Sequence, residues 1–521
     1  MPPRLQRCPR RLCGPRRPWP SPQLPNLGHY YLSARVQSPF QDGRRSFSAT
    51  PRRRELLDVS TLPDRILPQY KENPSGLLSL QWPEPPRNVL IVPKLLAPHV
   101  TEAAVAFARY VAAEYPGLRL IFERGVAEAV HGLLPFPVYT ATSPDRPPTA
   151  AFPEKTDLVT TLGGDGTILR AASLFSLHAF VPPILAFSMG SLGFLGEWKF
   201  EEYKRAWREV YMSGSRVAMA DLQGPHTQAA AAATGVGGHT PADSDGERLN
   251  DAWSSVRGKS MGTNRSARVM LRNRLKVGIY DGSGANVNEQ LIHAPTASDA
   301  TSRSSSHGGG GPAAFHAINE LVIHRGPNPH LAYIDVFVNG HHLTEAVADG
   351  LLVSTPTGST AYSLSAGGSI VHPLVKALLI TPICARSLSF RPLVLPLTSR
   401  VTLRLGARHR GGDRGLEVSV DGRRRPGADF RPGTEIRIEG ELIVPAAGGG
   451  GAAWVGGVPC VIRSRSPRSS IGSSISGDAK TRLGAADGGG AAGDTIITED
   501  DDGWVGGLNG LLKFNYPFGE E

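Results

Sequence analysis

The sequence predicts two domains, an α/β plus all-β chain: an open α/β domain with a parallel sheet, then a mostly β, sandwich-like domain. Three observations carry the prediction. Over residues 85–215 short apolar runs alternate with stretches of helical period, which implies a parallel sheet covered on both faces. From Ala267 onward the apolar runs are strand-like and punctuated by turn residues, which implies layered β-sheet. Tracts rich in Gly, Ala, Ser and Asp interrupt the chain and carry too little apolar surface to offset the entropy of ordering.

The first domain opens on "NVLIV" (88–92), followed by Val100, Ala103, Ala104, Phe107 and Val111 at helical spacing. "LRLIFE" (118–123), "TDLVTTL" (156–162) and "PPILAFS" (182–188) repeat the strand character, and "GTILRAASLF" and "FEEYKRAWREVYMSG" supply helices after the last two. In the second domain, residues 216–445, strands are expected in "ARVMLRNRLKVGIYD", "AINELVIHRG", "AYIDVFVNGHHLTEAVADGLLVST", "PLVLPLTSRVTLRL", "GLEVSVDG" and "TEIRIEG", with Asn339-Gly340 as a hairpin turn. "PLVKALLITPI" (373–383) reads as the helix of that domain. Disordered inserts are expected at 223–265 and 295–314, with a shorter one at 407–415 and a low-complexity insert at 446–502. Each lengthens a surface loop at modest cost, because closure entropy grows only logarithmically with length. The segment 503–521 carries Trp504, Leu508, Leu511, Leu512 and Phe514 and is expected to dock back on the first domain.

The chain of 521 residues has a formal charge of +10, and residues 1–54 account for it with twelve Arg, no Lys and one acid, Asp42. The remainder is close to neutral, so no nucleic-acid partner is expected. An Arg- and Ser-rich, acid-poor leader without an apolar core reads as a mitochondrial transit peptide, and "RRSFSAT" (44–50) resembles a matrix-protease cleavage site. Cys384 and Cys460, the two cysteines outside that leader, have neither metal-site spacing nor a disulfide framework, as suits a reducing compartment. No apolar run reaches the roughly 18–20 residues that span a bilayer, so no membrane partner is expected.

The chemistry concentrates in four stretches. "LVTTLGGDGTIL" (158–169) leaves a strand through Gly163 and Gly164 into Asp165, then Gly166 and Thr167 at the start of a helix. Bare backbone N–H groups at a helix start suit phosphate. The stretch is not a dinucleotide fingerprint, because Leu169 holds the third glycine position, and there is no Walker A loop, since Trp253 stands where the Gly before Gly258-Lys259-Ser260 belongs. An acid that merely lined a phosphate cradle would repel its ligand. Asp165 makes sense if it accepts a proton from an attacking hydroxyl or holds Mg²⁺ at the transferred group; otherwise it caps the helix or makes a turn. "SMGSLGFLG" (188–196) puts a second small-residue turn at the same end of the sheet, where α/β folds bind ligands. "NELVIHRG" (319–326) sets an amide beside a carboxylate, and the two serve one ligand only at a strand end. "ADGLLVSTPTGSTAYSLSAGGSIVHP" (348–373) is a loop of hydroxyls and glycines, too polar to be core.

Taken together, "GGDGT", "NE" and "DG" followed by "TPTGSTAY" resemble the NAD kinase family, which phosphorylates the 2′-hydroxyl of the adenosine ribose of NAD(H). Within it, "VIHRGPNPHL", "TPICARSLSFRPLVLP" and "DDGWVGGLNGLLKFN" resemble the mitochondrial NADH kinases of fungi. The likeness covers about residues 80–215, 266–294, 315–445 and 503–515. It implies Asp165 as the catalytic base, with Gly163, Gly164, Gly166 and Thr167 at the phosphates. It places Asn319 near the adenine, Glu320 near a ribose, Phe194 against a base, and Asp349, Thr360, Ala361, Tyr362 and Ser365 along the rest of the dinucleotide site. It also implies ATP with Mg²⁺ or another divalent cation, a homo-oligomer, and the mitochondrial matrix; no side chain is assigned to a metal. Two alternatives stay open: a lipid kinase of the diacylglycerol or sphingosine type, which shares a GGDGT-like loop, and an NAD(H)-binding sensor without turnover.

Overall fold

Residues 55–143, 146–190, 193–215, 266–288, 314–406, 415–424, 430–445 and 454–463 are described by a computed structural model. The leader, the segment 503–521, the insert 223–265 and nearly all of the other inserts lie outside the described residues.

Short strands buried on both faces, such as Asn88–Pro93, Leu158–Gly163 and Ile184–Ser188, form the middle of the first sheet. Its strands begin with β1 (Leu56–Asp58), β2 (Gln69–Glu72), β3 (Leu78–Gln81), β4 (Asn88–Pro93), β5 (Arg119–Phe122), β6 (Val138–Thr140), β7 (Leu158–Gly163), β8 (Ile184–Ser188), β9 (Trp198–Lys199) and β10 (Arg268–Arg272). Among the described residues five helices intervene: α1 (Pro98–Glu114), α2 (Arg124–Val130), α3 (Pro148–Lys155), α4 (Asp165–Ser173) and α5 (Tyr203–Tyr211). Val89 and Ile91 of β4 join the core under α1, α2 and α5, while Leu90 and Val92 join the core under α3 and α4, so both faces are covered. Parallel strands need such crossovers, and burial on both faces is why "NVLIV" is continuously apolar.

The second domain is two antiparallel sheets packed face to face. Its strands are β11 (Leu275–Tyr280), β12 (Phe315–Ala317), β13 (Glu320–His324), β14 (Ala332–Val338), β15 (His341–Ala348), β16 (Gly350–Ser354), β17 (Ala377–Ile383), β18 (Leu393–Pro396), β19 (Val401–Leu405), β20 (Glu417–Val420), β21 (Arg423–Arg424) and β22 (Glu435–Gly440). One sheet has the order β12-β11-β22-β19-β14-β15, the other β18-β17-β16-β13-β20-β21. Val277, Ile334, Leu403 and Ile438 of the first meet Leu321, Ile323, Val353 and Ile380 of the second in one core. The Asn339-Gly340 turn joins β14 to β15, with φ of 51° and 85°, the left-handed values a two-residue hairpin turn uses.

The chain then forms a short pair, β23 (Val444–Pro445) with β24 (Trp454–Val455), and returns to the first domain as β25 (Val458–Val461). The first sheet reads β1-β6-β5-β4-β7-β8-β25-β10-β3-β2, with β9 beside β8. Pairs from β1 to β25 are parallel, as at β7–β8, and those from β25 to β2 are antiparallel.

Four expectations change. Residues 446–502 are not one low-complexity insert, because Val458–Val461 is a fully buried strand in the middle of the first sheet. "ARVMLRNRLKVGIYD" is not one second-domain strand: β10 belongs to the first sheet and β11 to the second domain, with the crossing at Asn273. "PLVKALLITPI" ends in β17 rather than a helix, since Ala377–Ile383 is buried on both faces between β16 and β18, and a short run that is apolar except for Thr381 has no period to read. The hydroxyl-rich loop is partly core: Thr357, Ser359 and Ser363 are buried, satisfied by bonds such as Ser359 Oγ to Pro356 O at 2.6 Å and Ser363 Oγ with Thr381 Oγ1 at 2.9 Å.

Candidate active site

Four backbone segments converge at the carboxyl end of β4, β7 and β8. Gly163 pairs with Ser188, and the Lys94 N–H, just past β4, donates to Leu162 O at 2.8 Å. The chain passes from Gly163 through Gly164 straight into α4, whose first residue is Asp165. A Cβ on Gly163 would stand 2.2 Å from Thr167 Oγ1, so internal packing demands that glycine. A Cβ on Gly164 or Gly166 would meet nothing within 4 Å, so no packing within the described residues asks for glycine there. Thr167 is buried, its N–H donating to Gly164 O at 2.9 Å.

Asp165 does not cap its helix; its carboxylate turns to the neighbouring loop. Oδ2 accepts the Phe194 N–H at 2.9 Å and Oδ1 accepts the Leu195 N–H at 3.1 Å. Gly193 lies against the same group, and a Cβ there would fall 2.0 Å from Oδ1. Phe194 is half-buried beside the acid. Its carbonyl accepts from Nη2 of Arg272 at 3.1 Å, and Nη1 of that arginine reaches Thr357 Oγ1 at 3.4 Å. Arg272 is therefore the link from the first domain to the turn Thr357–Thr360 in the second.

That turn rests on the backbone of Asn319. The Thr355 N–H donates to Asn319 O at 2.9 Å, the Thr355 hydroxyl donates to Ile318 O, and a Cβ on Gly358 would fall 2.2 Å from Asn319 O. Ile318 packs in the first-domain core with Ile168 of α4, which brings Asn319 beside the helix that carries Asp165. Glu320 opens β13, so the amide and the acid do stand at a strand end. Asp421 fixes them by accepting the N–H groups of Ile318 at 3.0 Å, Asn319 at 2.8 Å and Glu320 at 3.2 Å.

The side chains of Asn319 and Glu320 are buried, and Asn319 Oδ1 and Glu320 Oε2 have no hydrogen-bond partner among the described residues. A buried orphan acceptor costs about 1–3 kcal/mol. Burial, then the nearby Asp421 charge, pushes the Glu320 carboxyl up to about 8, so at neutral pH it holds a proton and can donate as well as accept. Thr360 and Ala361 are half-buried at the end of the turn, and Tyr362 and Ser365 are exposed on the helical turn that follows. Asp349 is not brought to this group. In the β13–β16 ladder Glu320 faces Ser354 and His324 faces Gly350, so Asp349 sits at the other end, about 17 Å along the strands, paired with Arg325 at 2.6 Å.

Sequence reasoning passed over Gly193, Arg272, Gly358 and Asp421. Only Arg272 left a visible sign, a cation inside the apolar run "RVMLRNRL"; the others look like ordinary turn residues. A surface hollow of about 590 Å³ lies over Arg400, Arg404, Glu435, Arg437 and Glu439 and shares no residue with this group.

The N-terminal domain model of ATP-NAD kinases matches residues 89–215, and the C-terminal domain model residues 318–440. The mitochondrial NADH kinase of Schizosaccharomyces pombe is 32% identical over 468 residues, covering 88% of this chain and 85% of that protein. The chain belongs to the NAD kinase family. The mitochondrial NADH kinase of Saccharomyces cerevisiae is 31% identical over 452 residues, covering 85% of this chain and 84% of its own length. The crystal structure of yeast NADH kinase complexed with NADH matches with a TM-score of 0.60 at 30% identity, covering 89% of this chain and 97% of that one. This protein is thus an NAD(H) kinase, producing NADP(H), and the lipid-kinase and non-catalytic sensor readings fall away. Among the described residues of the kinase, no helix is long and apolar enough to cross a membrane.

Proposed function

We propose that this kinase transfers the γ-phosphoryl group of ATP to the 2′-hydroxyl of the adenosine ribose of NADH, with Asp165 as general base. The observation that carries the reading is the Asp165 clamp: a carboxylate held by two N–H groups beside Gly164 and Gly166, whose bareness serves no packing among the described residues. The 2′-hydroxyl proton passes to Asp165, the oxygen bonds to the γ-phosphorus, and the bond to the β-phosphate oxygen breaks, releasing ADP. General-base help is worth roughly 10² to 10⁴ in rate, with positioning supplying much of the remainder. The backbone at the start of α4, which has no side-chain cap among the described residues, and the exposed Lys94 ammonium offer positive charge to the phosphates.

Asn319 Oδ1 and Glu320 Oε2 gain their missing partners from the adenine amino group and a ribose hydroxyl, while Phe194, Thr360, Ala361, Tyr362 and Ser365 border the dinucleotide. No group of three or more His, Cys, Asp or Glu able to hold a metal occurs among the described residues. Those residues fit a divalent ion carried in on the triphosphate, as Mg²⁺ is commonly held, with Asp165 the acid nearest the reacting oxygen. That ion would neutralise charge on the transferred group.

Preference for NADH and a matrix location draw support from the names of the fungal relatives and from the acid-poor leader. Homo-oligomers in which Asp349 of one copy faces the dinucleotide on another account for an acid stationed at the far end of the ladder. The decisive experiment is Asp165→Asn, measured by steady-state kinetics and by NADH binding. Binding retained with kcat down at least about 10²-fold supports the base; undiminished turnover removes it.

A further inference from the structure

Arg272 is a cation almost wholly removed from water, 2% exposed, between Leu271 and Asn273 where the first sheet hands over to the second domain. A buried guanidinium is costly unless its donors are matched. Yet it makes no ion pair with a carboxylate among the described residues. Its hydrogen-bond partners are the Phe194 carbonyl and the Thr357 hydroxyl, and its Nε has none among the described residues.

The Phe194 carbonyl and the Leu195 N–H belong to a single peptide group. The guanidinium holds the oxygen end at 3.1 Å, and Asp165 Oδ1 takes the hydrogen end at 3.1 Å. A peptide group is planar, so anchoring its oxygen fixes the direction of its N–H. Both bonds are charge-assisted, and a cation on the carbonyl polarises the amide toward its acceptor, so each strengthens the other. The second arm of the fork, on Thr357, ends in the turn that lies on Asn319, so one side chain touches both halves of the site.

We propose that Arg272 is a positioning residue for phosphoryl transfer: through the Phe194–Leu195 peptide it holds Asp165 in its reactive orientation, and through Thr357 it registers that carboxylate against the segment bearing Asn319. The proposal rests on the reading of Asp165 as the base. A purely structural Arg272 would, when replaced, weaken folding and leave the turnover of folded molecules alone. A positioning Arg272 lowers kcat while the dinucleotide still binds.

The test uses the full chain with four variants, each checked for folding by circular dichroism and thermal melting. Arg272→Met keeps the apolar stem and removes both arms; kcat with NADH and ATP is expected to fall about 10²-fold, the scale of a misplaced reacting group, while the Kd for NADH, read from its fluorescence, moves less than about threefold. Arg272→Lys restores the charge on a single point donor and is expected to recover about tenfold of that loss. Thr357→Val severs one arm and is expected to cost roughly threefold to tenfold in kcat. Wild-type kcat in Arg272→Met overturns the proposal; should that variant not fold, wild-type kcat in both Arg272→Lys and Thr357→Val overturns it, as does a parallel loss of kcat and NADH affinity. The fourth variant, Asp165→Asn, separates the two claims: if it turns over normally the base assignment fails, and if it is inactive while the Arg272 variants are not, only the positioning role fails.

Discussion

Replacing Gly193 with alanine perturbs the site through a single methyl group. The new Cβ would stand 2.0 Å from Asp165 Oδ1, 2.6 Å from Cγ and 2.8 Å from Oδ2. Side-chain carbons do not approach oxygen closer than about 3 Å, so the carboxylate must retreat by about 1 Å and give up its geometry with the Phe194 and Leu195 N–H groups. Gly193 is not among the glycines with positive φ, so alanine adopts the same backbone and the whole strain falls on the acid. The acid is the free end of a rotatable side chain, so stability changes little. A displacement of 1 Å at a reacting group costs about 10²-fold in rate, or roughly 2.7 kcal/mol of transition-state stabilisation. Gly193→Ala is therefore expected to melt within about 2 °C of wild type, to bind NADH with unchanged affinity, and to show kcat reduced about 10²-fold. Steady-state kinetics on NADH and ATP, with fluorescence titration of NADH, measures all three. A folded variant with kcat within threefold of wild type would refute the clamp as a determinant of catalysis.

Three further outcomes follow from the same contacts. The Glu320 carboxyl, raised to about 8, keeps a proton that the unfolded chain releases near 4.5; its stabilising contribution is full below the lower value and lost as pH rises toward the upper one. Glu320→Gln should accordingly flatten the fall in Tm between about pH 5 and pH 8, and an unchanged slope would contradict the protonated state. Arg274 and Glu441, whose side chains are 2% and 7% exposed and which bond at 2.5 Å, join the domains, because Arg274 also donates to His178 O and the Gly457 N–H donates to Glu441. Glu441→Gln leaves the arginine buried without its counter-charge and should lower stability by about 3–5 kcal/mol in denaturant titrations; a change under 1 kcal/mol would count against it. Lys94 forms no ion pair among the described residues, and Lys94→Ala should raise the KM for ATP about tenfold with the KM for NADH little altered. The reverse ranking would move the donor phosphates elsewhere.

The parts of this protein that are legible in its sequence are those governed by short-range rules. "NVLIV" declares a buried parallel strand because Val89 to Val92 are apolar on both faces, and Asn339-Gly340 declares its turn because few other pairs accept its dihedral angles. The GGDGT loop, the Asn319–Glu320 pair and the 355–362 turn are legible as polar or glycine-rich chemistry where a core would want neither. What escapes is whatever depends on pairing across long separations. The four residues of β25 carry no period of their own and follow a tract rich in Gly and Ala, so their place between β8 and β10 is set by partners far away in the chain. Asp349 follows the same rule: antiparallel register sends it to the opposite end from Glu320, although both border β16 or its partner strand. Gly193 and Gly358 are indistinguishable from turn glycines until one sees which atom a methyl group would strike.

The late return of β25 governs how this enzyme can be made. A nascent chain that has emerged through α5 holds β4, β7 and β8 with the flank of β8 covered only by β9, at Phe187 and Ser188, and the part of that flank at Ile184 is closed by β25 only after the entire second domain has been translated. The half that carries Asp165 is consequently not a separable module. A gene cut after residue 445 encodes an open sheet edge rather than a smaller kinase, and a clone meant to supply the phosphate-binding half alone must fuse Val458–Val461 back beside β8.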